Sequence, residues 1–351
     1  MRFFEHQDEA RRETLKLLAG FALAVLATVA GVHLALVLLW QLLSWSLGGL
    51  AFPAFFFSVN IGVTLLLVLG GWWIETSNLT MPAAAERLAR RAGAREARPA
   101  QSHAEQRLCN IVAEISIAAQ MPPPRAMVLA RTAAINAFAT GWTEDDAVVA
   151  VTQGALELLT REELQGMVAH ECSHIHEGDT HLNMQLSGMV SGLELVHHFG
   201  IMLCERGGLA ALAGWPVRLM GSFGWLAGRV LQAAISRQRE YLADARTVQW
   251  TRSRDGLGGV LRKVMTEQHA ARRRHGTQPP PLHPALHHLL LVSDGGRGSQ
   301  WFDAHPPLAE RVRRIYGRAM EPLPLEPVAS GPEPTDRACP PPAVEGPYTL
   351  V

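Results

Sequence analysis

Charge is scarce in this chain and, over one long stretch, absent. Charged residues make up 18% of the 351, against about 25% in ordinary soluble domains. From Leu17 to Ile74 there is no Asp, Glu, Lys or Arg. That argues against a soluble amino-terminal domain. It leaves room for two membrane spans of about 20 apolar residues each, which we place near 17–43 and 52–74. A cleaved signal peptide fits poorly, because its apolar core is shorter and ends at a small-residue site. Gly48, Gly49 and Pro53 mark the break, and Trp40, Trp45, Trp72 and Trp73 fall near span ends, where interfacial aromatics sit. Lysine occurs only at 16 and 263, and formal net charge is zero, so no global field recruits nucleic acid. The cysteines, Cys109, Cys172, Cys204 and Cys339, form no C-x-x-C pair and no disulfide framework.

Around the apolar stretch, basic residues occur only on its flanks. Arg2, Arg11, Arg12 and Lys16 precede it, and Arg87, Arg90, Arg91, Arg95 and Arg98 follow. The connection at 44–51 has none. The positive-inside rule puts both flanks in the cytoplasm, with 1–16 as a cytoplasmic segment and 75–101 as a juxtamembrane linker holding a short Ala/Arg helix. A helix near 103–120 stops at Pro122-Pro123-Pro124. Strands are expected at 126–130, 135–140 and 147–151, with a turn at Thr143-Glu144-Asp145-Asp146.

The densest chemistry is His170-Glu171-Cys172-Ser173-His174. It reads H-E-x-x-H, the zincin signature. Thr160 and Glu163 make a capping box, Leu164, Met167, Val168 and Ile175 repeat at helical spacing, and Gly178 is a natural stop. On a helix, His170 and His174 share a face and can hold one Zn²⁺, and Glu171 stands where a general base for the attacking water belongs. At that offset Cys172 points away from the metal. A third protein ligand is required. Glu240 and Asp244, four apart in Ser236-Arg237-Gln238-Arg239-Glu240-Tyr241-Leu242-Ala243-Asp244, suit a ligand carboxylate with a second one behind a ligand histidine. The same pair equally suits two solvated charges on a polar helix.

Between these segments lies an apolar region, 182–235, interrupted by Glu194, His197, His198, Glu205, Arg206, Arg218 and Arg229. It reads as two further spans joined at Glu205-Arg206-Gly207-Gly208, or as a buried or interfacial helical hairpin. A shared metal puts His174 and Glu240 on one side of the membrane, so the number of crossings between them is even. Charges at span centres are costly, and Arg218 and Glu194 sit awkwardly in the spanning reading.

Four blocks together resemble the membrane-bound zinc metallopeptidases of the HtpX and CAAX prenyl protease type. They are Asn136-Ala137-Phe138-Ala139, His170-Glu171-x-x-His174-x-x-x-Gly178-Asp179, Ser236-Arg237-x-x-Glu240-Tyr241-x-Ala243-Asp244, and Asp303-Ala304-His305-Pro306-Pro307-Leu308-x-x-Arg311, in the family's order over roughly residues 1–316. The resemblance implies Glu240 as the third zinc ligand and two spans within 182–235. It implies a mainly α fold with a small β-sheet: an amino-terminal transmembrane hairpin plus a gluzincin-like zinc peptidase domain over 102–320. Asp244 and Asp179 are expected behind the ligand histidines. The strand at Asn136, Ala137, Phe138 and Ala139 is expected to hold substrate backbone by strand addition. His305, with Arg311 behind it, is the candidate for stabilising the oxyanion.

The expected protein is a membrane-anchored endopeptidase with one Zn²⁺ per chain. A polypeptide substrate and the lipid bilayer are its partners, and nucleic acid is not. The bacterial inner membrane is the expected location, with a cytoplasmic catalytic domain and a role in membrane-protein quality control. The alternatives are a metal-free scaffold or chaperone, a processing protease for lipidated peptides, and a transporter. Residues 269–300 read as a flexible insertion whose histidines, 275, 283, 287 and 288, are solvated. The Pro-rich stretch 321–351 reads as a disordered tail.

Overall fold

The structure is a computed structural model, and it describes residues 2–77, 84–273, 303 and 305–327. Four long helices carry the apolar stretches: α1 (Arg2–Ser46), α2 (Phe56–Ser77), α7 (Asp179–Glu205) and α8 (Gly208–Thr251). They pack side by side in the spatial order α1, α8, α7, α2. Among the described residues, three segments are long and apolar enough to cross a membrane: Thr14–Ser46, Phe56–Ser77 and Asp179–Glu205. The first part of α8 runs back along α7 and carries Arg218 and Arg229.

Small residues let these helices approach closely, as they do in bilayers. A Cβ on Gly192 would lie 2.2 Å from Val68 O, and one on Gly71 would lie 2.6 Å from Gly192 Cα, so α2 and α7 touch backbone to backbone. Gly221 meets His197 and Gly200 meets Arg218 in the same way between α7 and α8. Most of the outer surface of the bundle is apolar. Leu23, Leu38, Leu66, Trp73 and Phe223 are each more than half exposed, a pattern that hydrocarbon stabilises and water does not.

The other elements form a small α/β unit. α3 (Ala84–Arg91), β1 (Arg95–Glu96), α4 (His103–Ala119), β2 (Arg125–Leu129), β3 (Ala137–Thr140), β4 (Val148–Thr152), α5 (Gln153–Leu158) and α6 (Arg161–His176) follow α2. α9 (Asp255–Arg273) and α10 (Leu308–Tyr316) follow α8. The sheet order is β1-β2-β4-β3. β2 and β4 are parallel and the other pairs antiparallel, with Ala137 opposite Val151 and Thr140 opposite Val148. β3 is therefore an edge strand. α4 is capped by Ser102, and Gln120 ends it in the left-handed conformation before the prolines. Leu164, Met167, Val168 and Cys172 of α6 lie in one core with Ala137, Val149 and Val151 of the sheet and with Val260 of α9.

Four sequence expectations change here. The spans begin and end some residues away from 17–43 and 52–74. The helix at Ser236–Asp244 is the last third of one 44-residue helix, not a separate element. Part of the expected insertion, 269–273, belongs to α9; the remainder, with its histidines, lies outside the described residues. The tail does not begin at Glu321: Leu323 N–H donates to Arg262 O, and Thr266 Oγ1 donates to Leu323 O, which ties 321–327 to α9. Residues 328–351 lie outside the described residues.

Candidate metal centre

The Thr160 capping box is complete: its side chain accepts from Glu163 N–H, and the Glu163 side chain accepts from Thr160 N–H. This fixes the start of α6 and hence the phase of its inner face. His170 and His174 come together on that face, with their Nε2 atoms 3.2 Å apart. α8 delivers Glu240 against them, Oε2 3.4 Å from His170 Nε2 and Oε1 3.6 Å from His174 Nε2. The two ring nitrogens and the Glu240 carboxylate, 3.2–3.6 Å apart, stand close enough to share one ion at about 2 Å, the bond length zinc takes to histidine nitrogen and carboxylate oxygen.

The far side of each ring is also occupied. His174 Nδ1 donates to Asp179 Oδ2 at 2.8 Å, which leaves the Nε2 lone pair free as a ligand. His170 Nδ1 faces Asp244 Oδ1 at 3.2 Å. Asp244 is in turn gripped by Arg311 from α10, through Nε to Oδ2 at 2.9 Å and Nη2 to Oδ1 at 2.6 Å. Arg311 is fully buried, and its Nη1 stands 3.0 Å from Glu240 Oε2. That oxygen accepts no aligned hydrogen bond despite its burial. The pair of Nε2 atoms facing one another, with this buried oxygen beside them, makes a ligand set that a cation fits.

The electrostatics follow from burial and partners. Burial raises the Glu171 carboxyl above its usual range. Burial alone would also raise Glu240, but His305 and Arg311 outweigh it and hold Glu240 well below that range. Arg311 and His170 do the same for Asp244. Burial lowers the His170 ring, yet Asp244 and Glu240 reverse this and hold it at about 9. Burial pushes the Cys172 thiol up, and the side chain is an inert part of the core.

His305 Nδ1 lies 3.0 Å from Glu240 Oε1. Ala137 and Ala139 pack in the α6 core, and Phe138 packs on the other side of the sheet against Ala85 and Ala89. Asn136 precedes β3, and its Oδ1 accepts from Ala137 N–H at 3.0 Å. Sequence reasoning missed the buried arginine on the other ligand histidine. Arg239 bonds Asp179 through Nε and Glu177 O through Nη2, and Arg246 Nε holds Glu177 Oε1 at 2.8 Å. The only signal for it was its place in the Glu240 block.

A buried His–His–Glu cluster on an H-E-x-x-H helix, joined to a bundle of apolar helices, defines a membrane metallopeptidase. Comparison with known proteins gives the same class. The model of peptidase family M48 matches residues 102–319. A "Protease HtpX homolog" of Dictyoglomus thermophilum is 35% identical over 213 residues, covering 59% of this chain and 68% of the relative. One from Persephonella marina is 34% identical over 220 residues, 60% and 74% of the two chains. One from Streptococcus uberis is 28% identical over 282 residues, 74% and 86% of the two chains. No solved structure matches. The chain belongs to peptidase family M48, and it is a membrane-associated metalloendopeptidase of the HtpX type.

Proposed function

We propose that the chain is a zinc-dependent endopeptidase of the bacterial inner membrane, cutting peptide bonds on the cytoplasmic side. Convergence of His170 Nε2, His174 Nε2 and Glu240 carries this reading, with Asp244 and Asp179 bracing the rings. Zinc, when bound, polarises the scissile carbonyl and acidifies the attacking water. Glu171, whose carboxyl is raised by burial, takes the water proton and passes it to the leaving amine. His305 donates to the developing oxyanion. β3 offers its free edge to the substrate backbone, which adds as a further strand ahead of α6. Membrane-protein quality control suits a site this close to the bilayer.

A four-span reading, with the first part of α8 as the fourth crossing beside the three candidate segments, supports the orientation. α7 starts at Asp179, which touches His174, and α8 returns to Glu240, so both ends of the α7–α8 pair lie at the metal site. Arginine flanks the first pair on the same side. Reporter fusions after residues 48 and 250 test this: the first reads outside and the second inside, and an outside reading at 250 contradicts it.

The catalytic assignment is tested by Glu171→Gln. The variant keeps its metal and loses casein cleavage by about 10²–10⁴-fold, the usual contribution of a general base. Cleavage by the wild-type protein stops with a chelator and returns with zinc. Near-normal turnover by Glu171→Gln contradicts the proposal.

A further inference from the structure

The charges that interrupt the 182–235 region are not scattered. On α7, Asn183, Ser187, Ser191, Glu194 and His198 follow at intervals of four, four, three and four residues. At about 100° per residue, that spacing keeps all five within about 80° of arc. None of them is buried. The glycines pressing α7 onto α2 and α8, Gly192 and Gly200, point elsewhere. The polar stripe therefore faces away from the bundle, toward hydrocarbon. Glu194 and His198 sit 3.7 Å apart there, with side chains 42% and 61% exposed.

α8 carries a matching stripe on the same side. Arg218, Ser222 and Arg229 recur at intervals of four and seven. Ser222 Oγ lies 2.8 Å from Nδ1 of His197, whose ring is 5.6 Å from that of His198, so the two stripes adjoin. Arg229 has no hydrogen-bond or ion-pair partner among the described residues. Continuing at intervals of seven and four, the α8 stripe reaches Ser236 and then Glu240. The seam runs from the middle of α7 and α8 to the metal cluster.

Ionisable groups facing lipid are strongly disfavoured unless a polar partner covers them. Acyl chains offer no donors or acceptors, whereas another membrane span offers both. The seam mixes donors and acceptors, and it ends at the catalytic centre, which a structural partner has no need to reach. Glu194 is fifteen residues from Asp179, or about 22 Å along α7. A helix docked on Glu194 would leave the bilayer beside the cluster, where its next residues could extend along β3.

We propose that this α7–α8 seam docks a transmembrane helix of the protein substrate, one bearing hydrogen-bonding side chains at mid-span. It presents the adjoining cytoplasmic segment for cleavage. The inference rests on the peptidase reading above and names its substrate class.

The test uses full-length protein in vesicles and two single-span model substrates. Both carry one cytoplasmic cleavage sequence; one span is all Leu and Ala, and the other has an Asn and a Gln at its centre. Casein is the soluble control. Wild-type protein should cleave the polar-span substrate with kcat/KM about tenfold higher, as a few intramembrane hydrogen bonds allow. Glu194→Leu with His198→Leu should erase that preference and leave casein cleavage unchanged. Ser187→Leu with Ser191→Leu should weaken it too, and stands in if the first variant fails to fold. Equal cleavage of both spans by wild-type protein, or an undiminished preference in folded variants, overturns the proposal. So does a photo-crosslinker at position 191 that captures a second copy of the enzyme instead of substrate. Absence of casein cleavage by wild-type protein would instead remove the peptidase reading beneath it.

Discussion

The bundle and the catalytic unit obey opposite rules of exposure. Among the described residues, the large apolar side chains exposed to the surroundings lie on α1, α2, α7 and α8 or in the α1–α2 connection, with Ile117 of α4 the exception. In the catalytic unit such side chains are buried, and buried charges are paired, at the metal cluster through Arg311–Asp244 and Arg239–Asp179 and away from it through Lys263–Glu163 and Arg95–Glu105. The bundle is held by glycine-mediated backbone contact, and the unit by a hydrophobic core and an ionic network. One chain is folded for two solvents, and α8 belongs to both. Its first part packs by Gly221 and Gly224, and its last part presents Glu240 and Asp244.

The sharpest way to break this contrast is at the ionic network. Arg311→Met keeps bulk and removes the charge that faces Asp244 and Glu240. Leaving buried carboxylates without their partner typically costs about 3–5 kcal/mol. The variant should lose much of its thermal stability and its activity together, read by unfolding and by casein cleavage. An unchanged melting temperature would mean that the network does not hold the unit. A smaller effect is expected in the bundle. Gly192→Val drives a side chain into Val68 O, and overpacking costs about 1–3 kcal/mol. Stability should fall while zinc affinity per folded molecule stays at the wild-type value. A large change in zinc affinity would show that the two regions are not separable as described.

The parts of this architecture legible in the sequence were those with local signals. The capping box, the H-E-x-x-H spacing and the charge-free stretch each act within a few turns of chain, and α6, α1 and α2 follow from them. The strands at 126–130, 135–140 and 147–151 were legible from their apolar runs and the turn between the last two. β1 was not, because two residues of strand leave no periodicity, and its pairing with β2 is a tertiary event. The continuity of α8 was hidden because the sequence changes character where the helix leaves the apolar environment. Glu240 and Asp244 read equally well as solvated charges. Only packing against α6 and α10 separates a ligand and its brace from surface carboxylates. Arg239 and Arg311 were illegible as buried residues for the same reason: nothing local distinguishes a buried arginine with a carboxylate partner from an exposed one.

The claim on which both regions depend is that α8, arriving from the bundle, completes a metal site begun by α6. Metal content at limiting zinc tests this most directly. Wild-type protein should hold one zinc per chain after equilibrium dialysis, and Glu240→Ala should hold far less under the same conditions while the helical content of both stays alike. Asp244→Asn should fall between them, since a residue bracing a ligand histidine typically changes affinity by about 10–100-fold. Full zinc occupancy in a folded Glu240→Ala protein would contradict the account.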